Sequence, residues 1–279
     1  MKDKYERYNY GYGYGSGYGY GYGYGYGGYG QYGHYGYDNG NFQETIKTLR
    51  SNIQFAGIDN PIKTICVTSS IPGEGKSTIS HFLAIEMAKA GKKTLIVECD
   101  MRRPSQGNMF KLKPEKGLTA YLSGEATLEE AAFQTETDNL FLLDIDARVL
   151  NPVELLDSKK FHNAILEMRD KFDMVIFDTL PTVLFIDSSV VAAKTDATIM
   201  IVRKGKADRR SIESSIEQLQ KANANIIGIV FNDADSGYGI GSYGYKKYGK
   251  DNKYGKYGKY GKYGSYSYNY AYRNRKDSK

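Results

Sequence analysis

From residue 42 onward, two apolar rhythms alternate along the chain. Ile46, Leu49 and Ile53 recur at helical spacing, which predicts a helix over about 42–55, stopped by Gly57 and opened by Asn41 with Glu44 three places on. The run Ile62-Lys63-Thr64-Ile65-Cys66-Val67 predicts a strand, and Ile79 to Lys89 an amphipathic helix ended by Gly91. Thr94-Leu95-Ile96-Val97, Leu140-Phe141-Leu142-Leu143, Met174-Val175-Ile176-Phe177, Thr198 to Val202 and Ile226 to Phe231 read as further strands. Unbroken aliphatic runs of this kind belong to parallel sheets buried on both faces. Between them, Thr127-x-x-Glu130 predicts a capping box, Asn151-Pro152 a helix start, and Ser158 to Lys171 and Asp208 to Ala222 two longer helices. The alternation implies an α/β domain whose mostly parallel sheet carries helices on both faces and its ligand at the strands' C-terminal ends.

One junction between strand and helix carries chemistry. Thr68 to Thr78 reads T-S-S-I-P-G-E-G-K-S-T, a glycine-rich turn between the first strand and the second helix, which is the setting a phosphate-binding loop requires. Gly73 and Gly75 let backbone N–H groups turn inward, where the helix's positive end adds to their pull on a polyphosphate. Lys76 is placed to reach the β and γ phosphates and Ser77 to hold Mg²⁺. Ser70, Pro72, Gly73, Glu74, Gly75, Lys76, Ser77 and Thr78 are therefore the expected ATP contacts, although Ser70 stands where the strict pattern has its first glycine. The fold expectation sharpens to a P-loop NTPase-like sheet.

Composition divides the 279 residues into three. Residues 1–41 and 237–279 are Tyr/Gly tracts with 14 and 12 tyrosines, and Tyr121 completes the 27. Glycine's entropy and the scarcity of aliphatic residues predict disorder in both tracts. Residues 42–236 make one ordinary domain. The net charge of +6 arises entirely in the tail, because the three regions carry 0, −3 and +9. The basic balance therefore does not make the folded domain a nucleic-acid binder. Cys66 and Cys99 are expected as buried core side chains in a reducing cytoplasm. No apolar run approaches the ~18 residues of a membrane span, and no signal peptide is legible, so any work at a membrane needs another chain to hold the protein there.

Glu98, Asp100 and Asp178 fall at predicted strand ends. Asp178 after an aliphatic strand has the Walker B pattern, whose role is to hold Mg²⁺ through water. Glu98 and Asp100, with one residue between them, point to the same crevice, where one suits Mg²⁺ and the other suits a general base. Arg102 and Arg103 are candidates for phosphate charge or for surface ion pairs. His34, His81 and His162 lack metal-ligand spacing and a nucleophile partner.

These features together resemble the bacterial tyrosine kinases of capsule and exopolysaccharide operons, in the cytoplasmic form of Gram-positive bacteria. The carriers are T-S-S-I-P-G-E-G-K-S-T as Walker A, L-I-V-E-C-D-M-R-R-P at 95–104 as Walker A′ and V-I-F-D-T at 175–179 as Walker B. Glu44, Lys47 and Arg50 match the family's E-x-x-R-x-x-R oligomerisation helix, and Asn151 to Leu156 its N-P-x-E-L-L segment. The resemblance implies transfer of the γ-phosphoryl of MgATP to tyrosine, largely in trans within a ring-like homo-oligomer. Lys76, Glu98, Asp100 and Asp178 would be catalytic, with Ser77, Asp100 and Asp178 around Mg²⁺ and Glu98, usually Asp in this family, linked to base chemistry. It further implies a membrane-embedded activator that recruits the cytoplasmic protein to the inner face of the membrane, a cognate tyrosine phosphatase, and control of polysaccharide synthesis and export. Tyr254, Tyr257, Tyr260, Tyr263, Tyr266, Tyr268, Tyr270 and Tyr272 are the implied acceptors.

The chain departs from the pattern at Glu98, at Lys47, which keeps a charge but loses the bidentate fork, and at Leu180, which interrupts the usual D-T-P-P. Residues 144–150 also lack the expected glycine and prolines. A MinD- or ParA-like ATPase switch shares the fold but uses a signature lysine where this chain has Ile71. A tyrosine-rich scaffold around an inactive domain is the other alternative, suited by the Lys-Tyr-Gly repeats at 253–264. The N-terminal tract is expected to be a second phosphoacceptor region.

Overall fold

The structure, a computed structural model, describes residues 40–233. The expectations for the tail, its acceptor tyrosines and nearly all of the N-terminal tract lie outside these residues. Seven strands form one sheet in the order β3-β4-β2-β5-β1-β6-β7. They are β1 (Thr64–Ser69), β2 (Thr94–Glu98), β3 (Phe133–Gln134), β4 (Leu140–Leu143), β5 (Met174–Pro181), β6 (Ala197–Arg203) and β7 (Ile226–Asn232). Every neighbouring pair is parallel except β3 with β4.

Successive strand residues point to opposite faces, and both faces are dry. Ile65, Val67, Ile96 and Ile176 pack on one side against α1 (Gly40–Ala56) and α2 (Lys76–Lys89), through Ile46, Ile53, Leu83 and Met87. Cys66, Leu95, Val97, Val175 and Phe177 pack on the other, against α4 (Leu118–Ser123), α5 (Leu128–Ala131), α7 (Lys159–Lys171) and α8 (Asp187–Ala192). Phe161 meets Phe177 edge-on with ring centroids 6.2 Å apart. Each large side chain buried this way contributes roughly 1.5–3 kcal/mol. Cys66 and Cys99 are free and buried, as expected of core side chains, and burial pushes the Cys66 thiol up to about 12.

The helix starts follow the sequence with two exceptions. Thr127 and Glu130 form a reciprocal capping box on α5, Ser158 accepts from Phe161 N at the start of α7, and Asp208 accepts from Ser211 N at the start of α9 (Arg209–Lys221). Pro152 opens α6 (Pro152–Asp157), but Asn151 does not cap it: its Nδ2 instead donates to Glu154 Oε2 at 3.2 Å. Helix α1 begins at Gly40, one residue ahead of the expected cap, a shift within the usual uncertainty of helix ends. Several short elements lack a period long enough to read, among them the two-residue β3, the six-residue α4 and the six-residue α8, whose sequence Asp-Ser-Ser-Val-Val-Ala holds two β-branched residues.

Asp196, just ahead of β6, sets that strand beside β1. Its Oδ2 accepts Lys63 N and Thr64 N, both at 2.9 Å, its Oδ1 pairs with Arg169, and its own N–H donates to Thr64 Oγ1 at 2.8 Å. Burial works to raise this carboxyl, but the Lys63 N–H, Arg169 and Thr64 outweigh it and hold it below the usual range. A depressed folded-state pKa adds stability above the unfolded value, and that stability is lost as pH falls through the folded one. Asp196→Ala orphans two backbone donors and is expected to cost roughly 2–4 kcal/mol of unfolding free energy. Urea denaturation should show this at neutral pH, with the gap to wild type closing at low pH.

Candidate active site

The phosphate loop leaves β1 and turns into α2 through two left-handed residues, Gly73 (φ 79°) and Gly75 (φ 93°). At Gly75 a Cβ would lie 2.3 Å from Asn232 Nδ2, so both the dihedral and the space call for glycine. The loop's shape is fixed from behind by Glu74, which is fully buried. Its Oε2 accepts Ser70 N and Ser70 Oγ at 2.8 Å and Ile71 N at 3.0 Å, and its Oε1 accepts Arg203 N at 3.2 Å. Asn232, at the end of β7, donates to the Glu74 carbonyl at 2.9 Å. Ser70 and Glu74 were grouped above with the ATP contacts, yet their side chains bind each other and serve to shape the loop. Pro72 and Gly73 are exposed at the mouth, while Gly75, Lys76, Ser77 and Thr78 line its rim half-buried. Lys206, from the turn after β6, brings its ammonium to 3.2 Å from where a Gly73 Cβ would sit.

The three expected carboxylates converge on Lys76. Its ammonium lies 3.7 Å from Asp100 Oδ2, 3.8 Å from Asp178 Oδ1 and 3.1 Å from Ser77 Oγ. Burial works to lower the Lys76 pKa, but Asp178, Asp100 and Glu98 outweigh it and leave it raised. Asp178 is fully buried in β5, with Val67 of β1 and Glu98 of β2 beside it in register. Asp100 is raised by burial first, against the pull of Lys76 and of the Arg103 N–H. Ser77, Asp100 and Asp178 offer oxygen donors alone, a set that suits a hard cation such as Mg²⁺, which keeps several waters and phosphate oxygens for itself.

Glu98 is also fully buried, and its oxygens are engaged: Oε1 accepts Asp100 N at 2.8 Å, and Oε2 accepts Ser105 N at 2.7 Å and Gln106 N at 3.1 Å. Burial first and Asp178 second push its pKa up from the usual carboxylate range. Arg102 lies 3.5 Å from Asp187 and over the Phe185 ring, 4.5 Å from its centroid, while Arg103 is exposed. Leu180, where the family pattern has proline, keeps β5 extended, and its carbonyl accepts Thr68 Oγ1 at 2.7 Å. On α1, Glu44 and Lys47 pair with each other at 2.7 Å on an open face, and Arg50 reaches the Glu86 carbonyl at 3.5 Å. His81 is buried among Phe82 and Phe110. Sequence reasoning missed Gln106, Asn232 and Lys206. The one signal available was polar residues beside strand ends.

Comparison with known proteins agrees with this geometry. An AAA domain family model matches residues 62–227. The tyrosine-protein kinase CpsD of Streptococcus pneumoniae is 36% identical over 212 residues, which cover 75% of this chain and 92% of that protein. The chain belongs to the bacterial tyrosine-protein kinase family. Tyrosine-protein kinase YwqD of Bacillus subtilis (strain 168) is 33% identical over 68% of this chain and 80% of its own length. The crystal structure of the chimerical protein CapA2B2 superposes with a TM-score of 0.66 at 32% identity, covering 70% of this chain and 85% of that one. The family's P-loop NTPase-like sheet is thus the fold seen here.

In this family member the buried Glu74 is the part of the loop most open to a clean test. Glu74→Gln replaces two acceptor oxygens by one and sets an NH₂ group against N–H donors. Unfolding free energy should fall by roughly 2–3 kcal/mol, and nucleotide affinity by about tenfold as the loop loosens. Thermal melts and titration with a fluorescent ADP measure the two effects.

Proposed function

We propose that this chain is an ATP-dependent protein-tyrosine autokinase, acting on tyrosines of its own tail or a neighbour's. The observation that carries the reading is the Lys76 ammonium set between two buried carboxylates at the start of α2. The similarity to proteins named tyrosine-protein kinases supports it. Residues 42–236 form the kinase domain, residues 1–41 a Tyr/Gly tract, and residues 237–279 the acceptor tail.

In this reaction the tyrosine oxygen bonds to the γ-phosphorus, the bond from that phosphorus to the β–γ bridging oxygen breaks, and ADP leaves with its electron pair. The phenolic proton passes to a base. Lys76 and the loop N–H groups neutralise charge on the phosphates, and Lys206 adds a cation at the loop's outer side. Ser77, Asp100 and Asp178 would hold Mg²⁺, which would supply charge stabilisation for the transferred phosphoryl group. Glu98 takes the proton, its raised pKa suiting a group that must change charge near neutral pH. An incoming hydroxyl reaches it only as the Ser105 or Gln106 N–H yields.

Reach permits either mode of transfer. A glycine-rich chain of this 43-residue tail's length spans roughly 35–40 Å, enough for its own site or a neighbour's. Glu44, Lys47 and Arg50 supply the contact between subunits of a ring. Among the described residues no helix is long and apolar enough to cross a membrane. A membrane-embedded activator brings the cytoplasmic protein to the inner face, a cognate phosphatase reverses the modification, and the cycle regulates capsular polysaccharide synthesis and export. The engagement of Glu98 by backbone donors favours a second reading, a tyrosine-rich scaffold around an inactive domain.

Labelled ATP separates the two readings. The full chain with Mg²⁺ and the cytoplasmic segment of a candidate activator should acquire label on Tyr254 to Tyr272. Lys76→Met should lower that incorporation by roughly 100-fold or more. Label that never reaches tyrosine under these conditions supports the scaffold. A pH series tests the base: the deprotonated form acts, so the rate should climb through an apparent pKa well above the ordinary glutamate value. Glu98→Gln should abolish that rise, and an unchanged profile would assign the proton to another group.

A further inference from the structure

Gln106, the first residue of α3 (Gln106–Phe110), is fully buried and belongs to no expected motif. Its Nε2 donates to Asp178 Oδ2 at 2.8 Å and to the Ser77 carbonyl at 3.0 Å. Asp178 lies within β5, which runs on to Pro181 rather than ending at the aspartate as the sequence suggested, so one amide ties β5 to the first turn of α2, the two elements that present Asp178 and the Ser77 hydroxyl. Asp178 Oδ1 accepts from Ser80 Oγ at 3.4 Å and lies 3.8 Å from Lys76 Nζ.

We propose that Gln106 is a positioning residue for the metal–nucleotide site, holding Asp178 Oδ2 and the Ser77 carbonyl so that Asp178 Oδ1 and the Ser77 hydroxyl face one point. This rests on the reading that the loop binds a nucleotide with Mg²⁺.

The chemistry of the amide fits the task. A fully buried carboxylate needs a hydrogen-bond donor, and a lysine or arginine in that place would cancel the charge a cation seeks. A neutral amide orients Asp178 and leaves its charge intact. Gln106 is itself anchored, because its N–H and that of Ser105 are both held by Glu98 Oε2. Its other end carries a mark of adjustment. Gln106 Oε1 and His81 Nδ1 are each buried without a hydrogen-bond partner. Burial pushes the His81 imidazole down to about 4 while the Gln106 side chain pulls it upward, so the ring is neutral at physiological pH and interacts with that amide.

Binding of a fluorescent ADP to the full-length chain, titrated with Mg²⁺, reads this role without the transfer reaction. Gln106→Met keeps the bulk and removes the amide; Gln106→Asn keeps the amide one methylene short. Both should need about tenfold more Mg²⁺ for half-maximal binding, the scale expected when a group that orients a metal ligand is lost. Affinity in the absence of Mg²⁺ should change little, and Asn108→Ala, exposed on the same helix, should match wild type throughout. An unchanged Mg²⁺ requirement in either folded variant, or an equal loss with and without Mg²⁺, overturns the proposal. In the unmodified chain the Gln106 side-chain amide resonance should shift when Mg²⁺ joins the ADP complex; an unmoved resonance overturns it without any variant. If the wild-type chain and the Asn108→Ala control also fail to bind ADP, the phosphate-loop reading fails, and the role falls with it.

Discussion

Glu98, Asp100 and Asp178 share the closed end of the sheet with one ammonium, that of Lys76, and the surrounding structure is arranged around that imbalance of charge. Burying an unpaired carboxylate is costly, and Asp178 on the neighbouring strand adds to burial in raising the proton affinity of Glu98. Glu98 and Asp178 stand directly beside each other in the β2–β5 register. Each acid is held by donors that stabilise it without neutralising it: backbone N–H groups on Glu98 and Asp100, an amide and a hydroxyl on Asp178. The surplus negative charge that remains is the physical ground for expecting a cation here.

The order of strands explains how the loop above these acids keeps its shape. β1 lies between β5 and β6, so its C-terminal loop is flanked by the Walker B strand on one side and the β6 turn on the other. Glu74 reaches across to Arg203 N of β6, and Asn232 returns from β7 to the Glu74 carbonyl. The N–H groups of the loop are thereby set by contacts behind it. A site prepared in this way avoids part of the ordering cost that binding otherwise incurs.

Much of this was legible in the chain because it repeats or because it sits next to something that does. The long strands announce themselves as aliphatic runs, and Asp178 and Asp100 could be placed by counting from them. The phosphate loop was legible from Gly75-Lys76-Ser77 at the head of a helical period. What escaped has no period. Gln106 sits in a five-residue helix after an irregular stretch, and its importance comes from an amide that crosses to β5. Asn232 closes a strand as many asparagines do, and only the sheet order brings it to Gly75. Glu74 fits the loop motif by position, yet nothing in the motif tells an inward side chain from an outward one.

The departure at Glu98 and the unexpected Gln106 have a common geometric cause. An aspartate at 98 would be one methylene shorter than the glutamate whose Oε2 accepts Ser105 N and Gln106 N, seven and eight residues on, at 2.7 and 3.1 Å. Shortening the side chain withdraws the acceptor that begins α3, and with it the support that aims Gln106 at Asp178. The reverse also holds. A glutamine at 106 gains little without an anchor for its own N–H, because an untethered helix of five residues is too short to fix a side chain to within a hydrogen bond. The two residues therefore act as one unit, in which the longer acid fixes the backbone and the amide fixes the Asp178 carboxylate.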